Sequence, residues 1–341
     1  MSIFATTSQA QTDTILLAPA LEDVLVWAAK VEKPWLESTA STYLIDTRAL
    51  GQLPQNSLQE LLLQSPSIFT LNAQNKAQDL RISIRGFGAR AAFGVRGVKL
   101  IVDGIPETTA DGQGQLDNLN LGIIQQIEVL NNGSAALYGN AAGGVIHIQT
   151  LDESALHTTP FLADLGIGFH AQAGQQHQLT LGQRWGRTKL LFHANHHQGD
   201  GYREHAAFQS TGANLRLIQS FRHAGKLEAI FNYMNSPLAQ DPGGLPATLY
   251  DSIPRAAWRN NLRYQAGEAI DQFKSSLRYV VPLSAGVALT TYAFYSGRDF
   301  EGRLPLMHSG IIELARSFYG QACSLSGATA TKQTQWRWQT G

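Results

Sequence analysis

The chain is poor in cysteine, in charge and in long apolar runs. A single cysteine, Cys323, in 341 residues excludes an intrachain disulfide. It reads as an ordinary strand residue rather than a reactive thiol. Charged residues make up 15% of the chain, against about 25% in soluble domains. The 26 basic and 26 acidic residues cancel, which argues against a nucleic-acid binder held by phosphate contacts. No stretch reaches about 18 consecutive apolar residues, so a transmembrane helix is excluded. No nucleophile–base–acid set stands out, so an enzyme is not expected, and no cofactor or metal is implied. A secretory signal is also missing in its usual form. No Lys or Arg precedes Lys30, and residues 1–11 are short and polar, although Ser8-Gln9-Ala10 fits the tail of a cleavage site.

What is present suits a β protein. The 32 glycines, the many Gln, Asn, Thr and Ser residues and the scattered aromatics all point that way. A membrane β-barrel spreads its hydrophobicity over alternate residues, which keeps mean hydropathy near neutral. Here it is −0.14.

Four regions emerge. Residues 1–50 lack the pattern of a packed element, apart from two short apolar runs. Residues 51–150 read as a mixed α/β unit, 151–160 as a polar linker, and 161–341 as recurring strands. In the second region a helix starts at Ser57 or Asn56 as cap, with Glu60 three residues beyond Ser57. Leu58, Leu61 and Leu62 form its apolar face, and Pro66 ends it. Strands are expected at 80–84, 98–102, 123–130 and 144–150, separated by glycine-rich loops. In the third region Leu227, Ala229, Phe231 and Tyr233 alternate with Glu228 and Asn232. Phe273, Leu277 and Tyr279 alternate with Lys274, Ser276 and Arg278. Alternation with aromatics near the segment ends is the barrel pattern, although a soluble β-sandwich alternates too. Connections of two or three residues recur on one side, as at 186–187 and 284–286. Long ones fall on the other, at 199–209, 236–270 and 302–310. For 284–286 to lie on the short side, residues 257–265 must belong to a long loop. That leaves about nine spanning strands at about 9–11 residues each.

The glycine-rich block carries a family resemblance. Ile84-Arg85-Gly86-Phe87-Gly88-Ala89-Arg90 comes first, then Val102-Asp103-Gly104-Ile105-Pro106, then Ile127-Glu128-Val129-Leu130. The fourth motif is Ala136-Leu137-Tyr138-Gly139-Asn140-Ala141-Ala142-Gly143-Gly144-Val145-Ile146. In this order they resemble the plug of TonB-dependent outer-membrane receptors, of the iron-complex and ferric-citrate type. The likeness continues more weakly at Asp200-Gly201-Tyr202-Arg203 and Asp241-Pro242-Gly243-Gly244-Leu245. One departure is Asn131-Asn132-Gly133, where the family commonly has a basic residue and then Gly-Pro.

The resemblance implies an α/β plug domain followed by an antiparallel transmembrane β-barrel in the Gram-negative outer membrane. With about nine strands against the about 22 of plugged transporters, the barrel is expected to be incomplete and open, and the chain a fragment. Arg85 and Glu128 are expected at strand ends, paired with each other or with lumen-facing charges. Asp103-Gly104 turns a strand, while Gly86, Tyr138, Gly139, Gly143 and Gly144 hold the packing of the plug. The TonB box is expected at Glu22, Asp23, Val24, Leu25, Val26, Trp27 and Ala28, with residues 13–18 as the rival segment. Its partner is the C-terminal domain of TonB, reached by strand addition. A ferric chelate is the implied ligand, with cobalamin, heme or a glycan as alternatives. Arg90, Phe93, Arg96, Gln113 and Gln115 are the expected ligand contacts at the plug apex. The partners are TonB, the chelate and outer-membrane lipid, with no nucleic acid. Gly86-x-Gly88 is not a dinucleotide fingerprint, because no helix of the right period follows. His193, His196 and His197 could suggest a metal, but adjacent histidines on a strand face opposite sides, so a structural or solvent-facing role is expected.

Overall fold

The structure is a computed structural model. It describes residues 25–26, 33–34, 41–47, 57–72, 74–91, 94–116, 119–131, 137–157, 159–222, 225–284, 286–307, 310–330 and 335–340. Strands β1 (Leu25–Val26) and β2 (Lys33–Pro34) form a small antiparallel pair. The plug follows with β3 (Ser41–Asp46), α1 (Leu58–Leu62), β4 (Ile68–Leu71), β5 (Arg81–Ile84), β6 (Val95–Arg96) and β7 (Val98–Val102). It continues with β8 (Ile105–Pro106), β9 (Gln113–Gly114), β10 (Ile124–Asn131) and β11 (Gly144–Thr150). Its main sheet runs β3-β10-β11-β7-β8, with β11 and β7 parallel.

Helix α1 forms as its residues dictate. Ser57 is extended, and its hydroxyl accepts from the backbone N–H of Gln59 at 3.1 Å. That bond satisfies one orphan donor of the first turn. Leu58, Leu61 and Leu62 recur at i, i+3 and i+4, and all three are buried. They pack against Ile127, Val129, Ile146 and Ile148 on one face of the sheet. Each such leucine contributes about 1.5–3 kcal/mol of burial. The opposite face holds a second cluster of Ile101, Leu130, Ala141 and Val145, with Tyr138 packed on it.

The first domain boundary moves. Residues 1–50 were expected to be an unpacked leader, yet β3 pairs along its whole length with β10, from Asp46–Gln126 to Ser41–Asn131. Ile45 is buried in the main core and Tyr43 packs on it. The cause is a short run, Ser-Thr-Tyr-Leu-Ile-Asp, rich in strand formers. A second strand absent from the sequence reading, β4, pairs with β5 in a separate hairpin-like sheet.

From residue 161 a nine-stranded antiparallel sheet runs in sequence order. Its strands are β12 (Phe161–His170), β13 (Gly174–Trp185), β14 (Thr188–Gly199), β15 (Phe208–Phe221) and β16 (Gly225–Gln240). Then come β17 (Gly267–Ser284), β18 (Val287–Arg303), β19 (Ile311–Ala330) and β20 (Gln335–Thr340). Among the described residues no pairing joins β12 to β20, so the sheet is open. The count and the openness match the expectation. Several strands run further than read, so the long loop shrinks to 241–266. It carries helices α2 (Ala247–Ser252) and α3 (Arg259–Arg263), and 257–265 do lie in that loop.

Short connections (186–187, 222–224, 285–286) share one end of the sheet, and the longer ones (200–207, 241–266, 304–310) share the other. The turn 171–173 is short but lies with the long loops. The two faces differ sharply. Residues such as Lys189, Asn195, Arg216 and Lys274 touch the plug or the linker after it, whereas their alternating neighbours face away. On that outward face Leu165, Phe169, Phe231, Phe273, Leu277 and Tyr319 are exposed. No helix among the described residues is long and apolar enough to cross a membrane, which leaves crossing to strands.

Candidate functional site

The site is built where the plug meets the concave face of the sheet. Asp103 and Gly104 form the two-residue turn between β7 and β8, both with positive φ, 52° and 81°. An Asp-Gly pair suits a turn that needs left-handed residues at both positions. The turn aims the Asp103 carboxylate at the wall. It accepts from the Thr150 N–H at 2.9 Å and the Thr150 hydroxyl at 2.7 Å. Arg216 of β15 lies 2.6 Å from it. Arg216 is almost fully buried, donates also to Thr150 Oγ1 at 3.0 Å, and approaches Glu228 at 3.5 Å. Glu228 is 4.0 Å from Arg278. Burial pushes the Asp103 carboxyl up, but the Arg216 guanidinium and the Thr150 hydrogen bonds outweigh it and hold it below its ordinary value.

Further contacts tie the plug to the wall at other heights. In the linker, Glu153 accepts from Lys189 Nζ at 2.8 Å and from Lys226 Nζ at 2.9 Å. Partial burial raises its pKa, yet the two ammonium groups prevail and bring it to about 2. Glu107 pairs with Lys274, and Gln115 accepts from Arg316. Asn120 donates to Asn195 at 2.8 Å. Near the long-loop end, Asp241 accepts from Asn75 at 2.8 Å and from Gln78 at 3.2 Å. Arg203 donates to the carbonyls of Pro242, Gly243 and Ala256. The Asp-Gly-Tyr-Arg and Asp-Pro-Gly-Gly segments therefore meet in space.

The expected ligand contacts divide. Arg96 is exposed and bonded to Asp111 and Gln113, so two of them come together with an acidic neighbour. The Thr109 hydroxyl lowers the Asp111 pKa first, then the Gln113 N–H and Arg96. Arg90 is exposed. Phe93 lies outside the described residues. Gln115 faces the wall rather than the apex, as its bond from Arg316 shows. Of the expected TonB box, Leu25 and Val26 form β1, while Glu22, Asp23, Val24, Trp27 and Ala28 lie outside the described residues.

The expected plug residues also divide. Glu128 stands in mid-strand in β10, not at a strand end, and is fully buried. It accepts from Gln126 at 3.0 Å and Gln149 at 3.3 Å, with His147 at 3.9 Å. Arg85 is exposed at the end of β5 with φ 53°, next to Gly86. Gly143 and Gly144 do allow close approach, since a Cβ there would meet Phe87 Cβ at 2.7 Å and Leu130 O at 2.6 Å. Gly139 has open space around it, so its positive φ of 57° explains the glycine better than crowding. His193 bonds to Thr180 and His197 lines the plug side of the sheet, whereas His196 bonds to Thr211 on the outer face, so the adjacent His196 and His197 do face apart.

Sequence reading missed Arg216, Glu153, Lys274 and Asp241 as anchors. For Arg216 and Lys274 the available signal was a charged residue at an inward position of an alternating strand.

Residues 35–145 match the TonB-dependent receptor plug domain family. A vitamin B12 transporter BtuB of Vibrio vulnificus is 29% identical over 152 residues, covering 44% of this chain and 24% of that protein. A hemin receptor of Yersinia enterocolitica is 26% identical over 172 residues, covering 49% of this chain and 23% of that protein. The chain thus spans about a quarter of these relatives. Among solved structures, the unliganded ferric citrate transporter FecA superposes with a TM-score of 0.70 at 18% identity, over 88% of this chain and 46% of that one. The ferric yersiniabactin uptake receptor FyuA of Yersinia pestis gives 0.65 at 15% identity, over 86% and 46%. The matched proteins are receptors and transporters, not enzymes. Residues 35–145 are thus a TonB-dependent receptor plug domain, and the plug-on-sheet fold that carries it is the fold of the ferric citrate transporter FecA.

Proposed function

We propose that the chain serves TonB-driven uptake of a ferric chelate across the outer membrane. The observation that carries this reading is a plug held on the polar, concave face of a sheet whose other face is exposed and apolar. A soluble sandwich buries its apolar strand face, whereas this one presents it outward, as a lipid-facing wall does. Arg90 and the Arg96–Gln113 pair supply cation and amide donors suited to an anionic chelate. TonB is the proposed energy source, recruited by strand addition at residues 22–28. The strand character of Leu25–Val26 supports that choice. Deleting the gene should slow growth under iron limitation and leave iron-replete growth unchanged; equal growth in both media would refute the iron reading. In a pull-down, Val26→Pro should weaken capture of the TonB C-terminal domain, because proline removes a ladder donor. Undiminished capture would move the box elsewhere.

A second reading, cobalamin or heme as cargo, is favoured by the relatives, which include a vitamin B12 transporter and hemin receptors. Growth rescue by either compound, but not by ferric chelates, would select it.

A further inference from the structure

A cavity of about 180 Å³ lies between the plug and the wall, toward the long-loop end. It exceeds the ~150 Å³ known to hold a benzene-sized molecule. Arg90, Arg96, Gln113 and Gln115 do not line it, so it is separate from the apical contacts proposed above. Three side chains mark its chemistry. The Lys76 ammonium stands 5.7 Å from the centre of the Phe208 ring, and the His197 ring meets the same phenyl edge-on at 4.7 Å. Gln176, Asn195 and Ser210 add amide and hydroxyl groups from the wall. None of the described lining residues is acidic. The rest of the lining mixes apolar side chains, with Met234 and Ile270 on the wall side, and further amides and hydroxyls.

Two of its lining residues are held from the long loop. Asp241 of the long loop holds Asn75 and Gln78, the plug segment that carries Lys76. The loop is itself braced by Arg203 through the Pro242 and Gly243 carbonyls. Burial draws Lys76 below the usual lysine range, while the Glu60 carboxylate pulls it upward. An anion entering the cavity would favour the charged ammonium further.

We infer that this seam cavity is a second binding site, for a small anionic, oxygen-rich molecule of hydroxycarboxylate type. Lys76 supplies the charge, wall amides and hydroxyls take the hydroxyl and carboxylate oxygens, and Phe208, Met234 and Ile270 pack the carbon skeleton. Asp241 positions the segment that carries Lys76 through its hold on Asn75 and Gln78.

The test is calorimetric titration of the detergent-refolded chain with iron-free citrate, and with sorbitol as a neutral polyol of similar size. Lys76→Gln removes the charge and keeps the side-chain length; Ser210→Phe fills the cavity from the wall. Circular dichroism checks folding of each variant. Citrate should bind the wild-type chain, sorbitol should not, and both variants should weaken citrate at least tenfold. Arg96→Gln should leave citrate binding at this site unchanged. Absence of citrate binding, equal binding of sorbitol, or citrate affinity untouched in both folded variants would overturn the site. Citrate binding lost in Arg96→Gln but kept in Lys76→Gln would do so while sparing the apical reading.

Discussion

Asp103 shows how one residue serves two tasks that separate by substitution. Its backbone makes the turn, and its carboxylate joins Thr150 to Arg216. Asn tolerates the left-handed conformation at least as well as Asp, so Asp103→Asn keeps the turn and removes the charge. It leaves the buried Arg216 with its bond to Thr150 Oγ1 and, for charge, the longer approach to Glu228. Breaking a buried pair in this way costs about 3–5 kcal/mol. A chemical-denaturation series in detergent should show that loss as a lowered midpoint. Adding Arg216→Met should recover part of it, because the stranded charge disappears as well. If the double variant is as unstable as the two single losses added together, the pair is not coupled and the anchor is misassigned. Gly104→Ala probes the other task, since φ of 81° strains any residue with a Cβ. A loss of about 1–3 kcal/mol is expected there, with the Asp103–Arg216 pairing kept.

At the scale of elements, the linker clamp has a definite pH signature. The Glu153 pKa falls to about 2 in the folded chain from the ordinary 4.5. A depressed carboxyl pKa adds stability that is complete above the unfolded value and is lost as pH falls toward the folded one. Denaturation midpoints of the wild-type chain and Glu153→Gln should therefore differ above about pH 5 and converge as pH approaches 2. Parallel curves throughout would rule the clamp out. Elements with strong internal periodicity were legible from sequence. Helix α1 declared itself through Ser57 and three leucines, and β7, β10 and β11 through short segments rich in Val, Ile and Leu. Strands β3 and β4 were hidden because each takes its stability from a partner away in sequence, β3 from β10 and β4 from β5. The anchors were hidden for a related reason. Alternation tells which side chains of β15 face inward, but not that Arg216 stands opposite Asp103. That depends on how the plug is turned within the sheet, which no local pattern records.

The whole molecule has an inverted surface. Its strands present their apolar side chains outward, and their polar side chains grip a globular plug. In water an exposed face carrying Leu165, Phe169, Leu277 and Tyr319 would favour aggregation; in a bilayer the same face lowers the free energy. The outward polar residues fall where that logic allows. Asp271, which accepts from the Tyr233 hydroxyl and from Asn235, lies toward the long-loop end of β17, beyond the apolar stretch of Phe273, Leu277 and Tyr279. Two neighbours on β16 test the orientation directly. Phe231 is exposed on the outward face, and Asn232 lines the cleft beside Glu107 on the inward one. Arginine facing lipid near the middle of a strand costs about 2–4 kcal/mol, whereas on the plug side it joins existing carboxylates. In a liposome-insertion titration with urea, Phe231→Arg should lose roughly that amount and Asn232→Arg should lose less than about 1 kcal/mol. Equal losses in the two variants would mean that the outward face does not meet lipid, and the membrane reading of the sheet would fall with it.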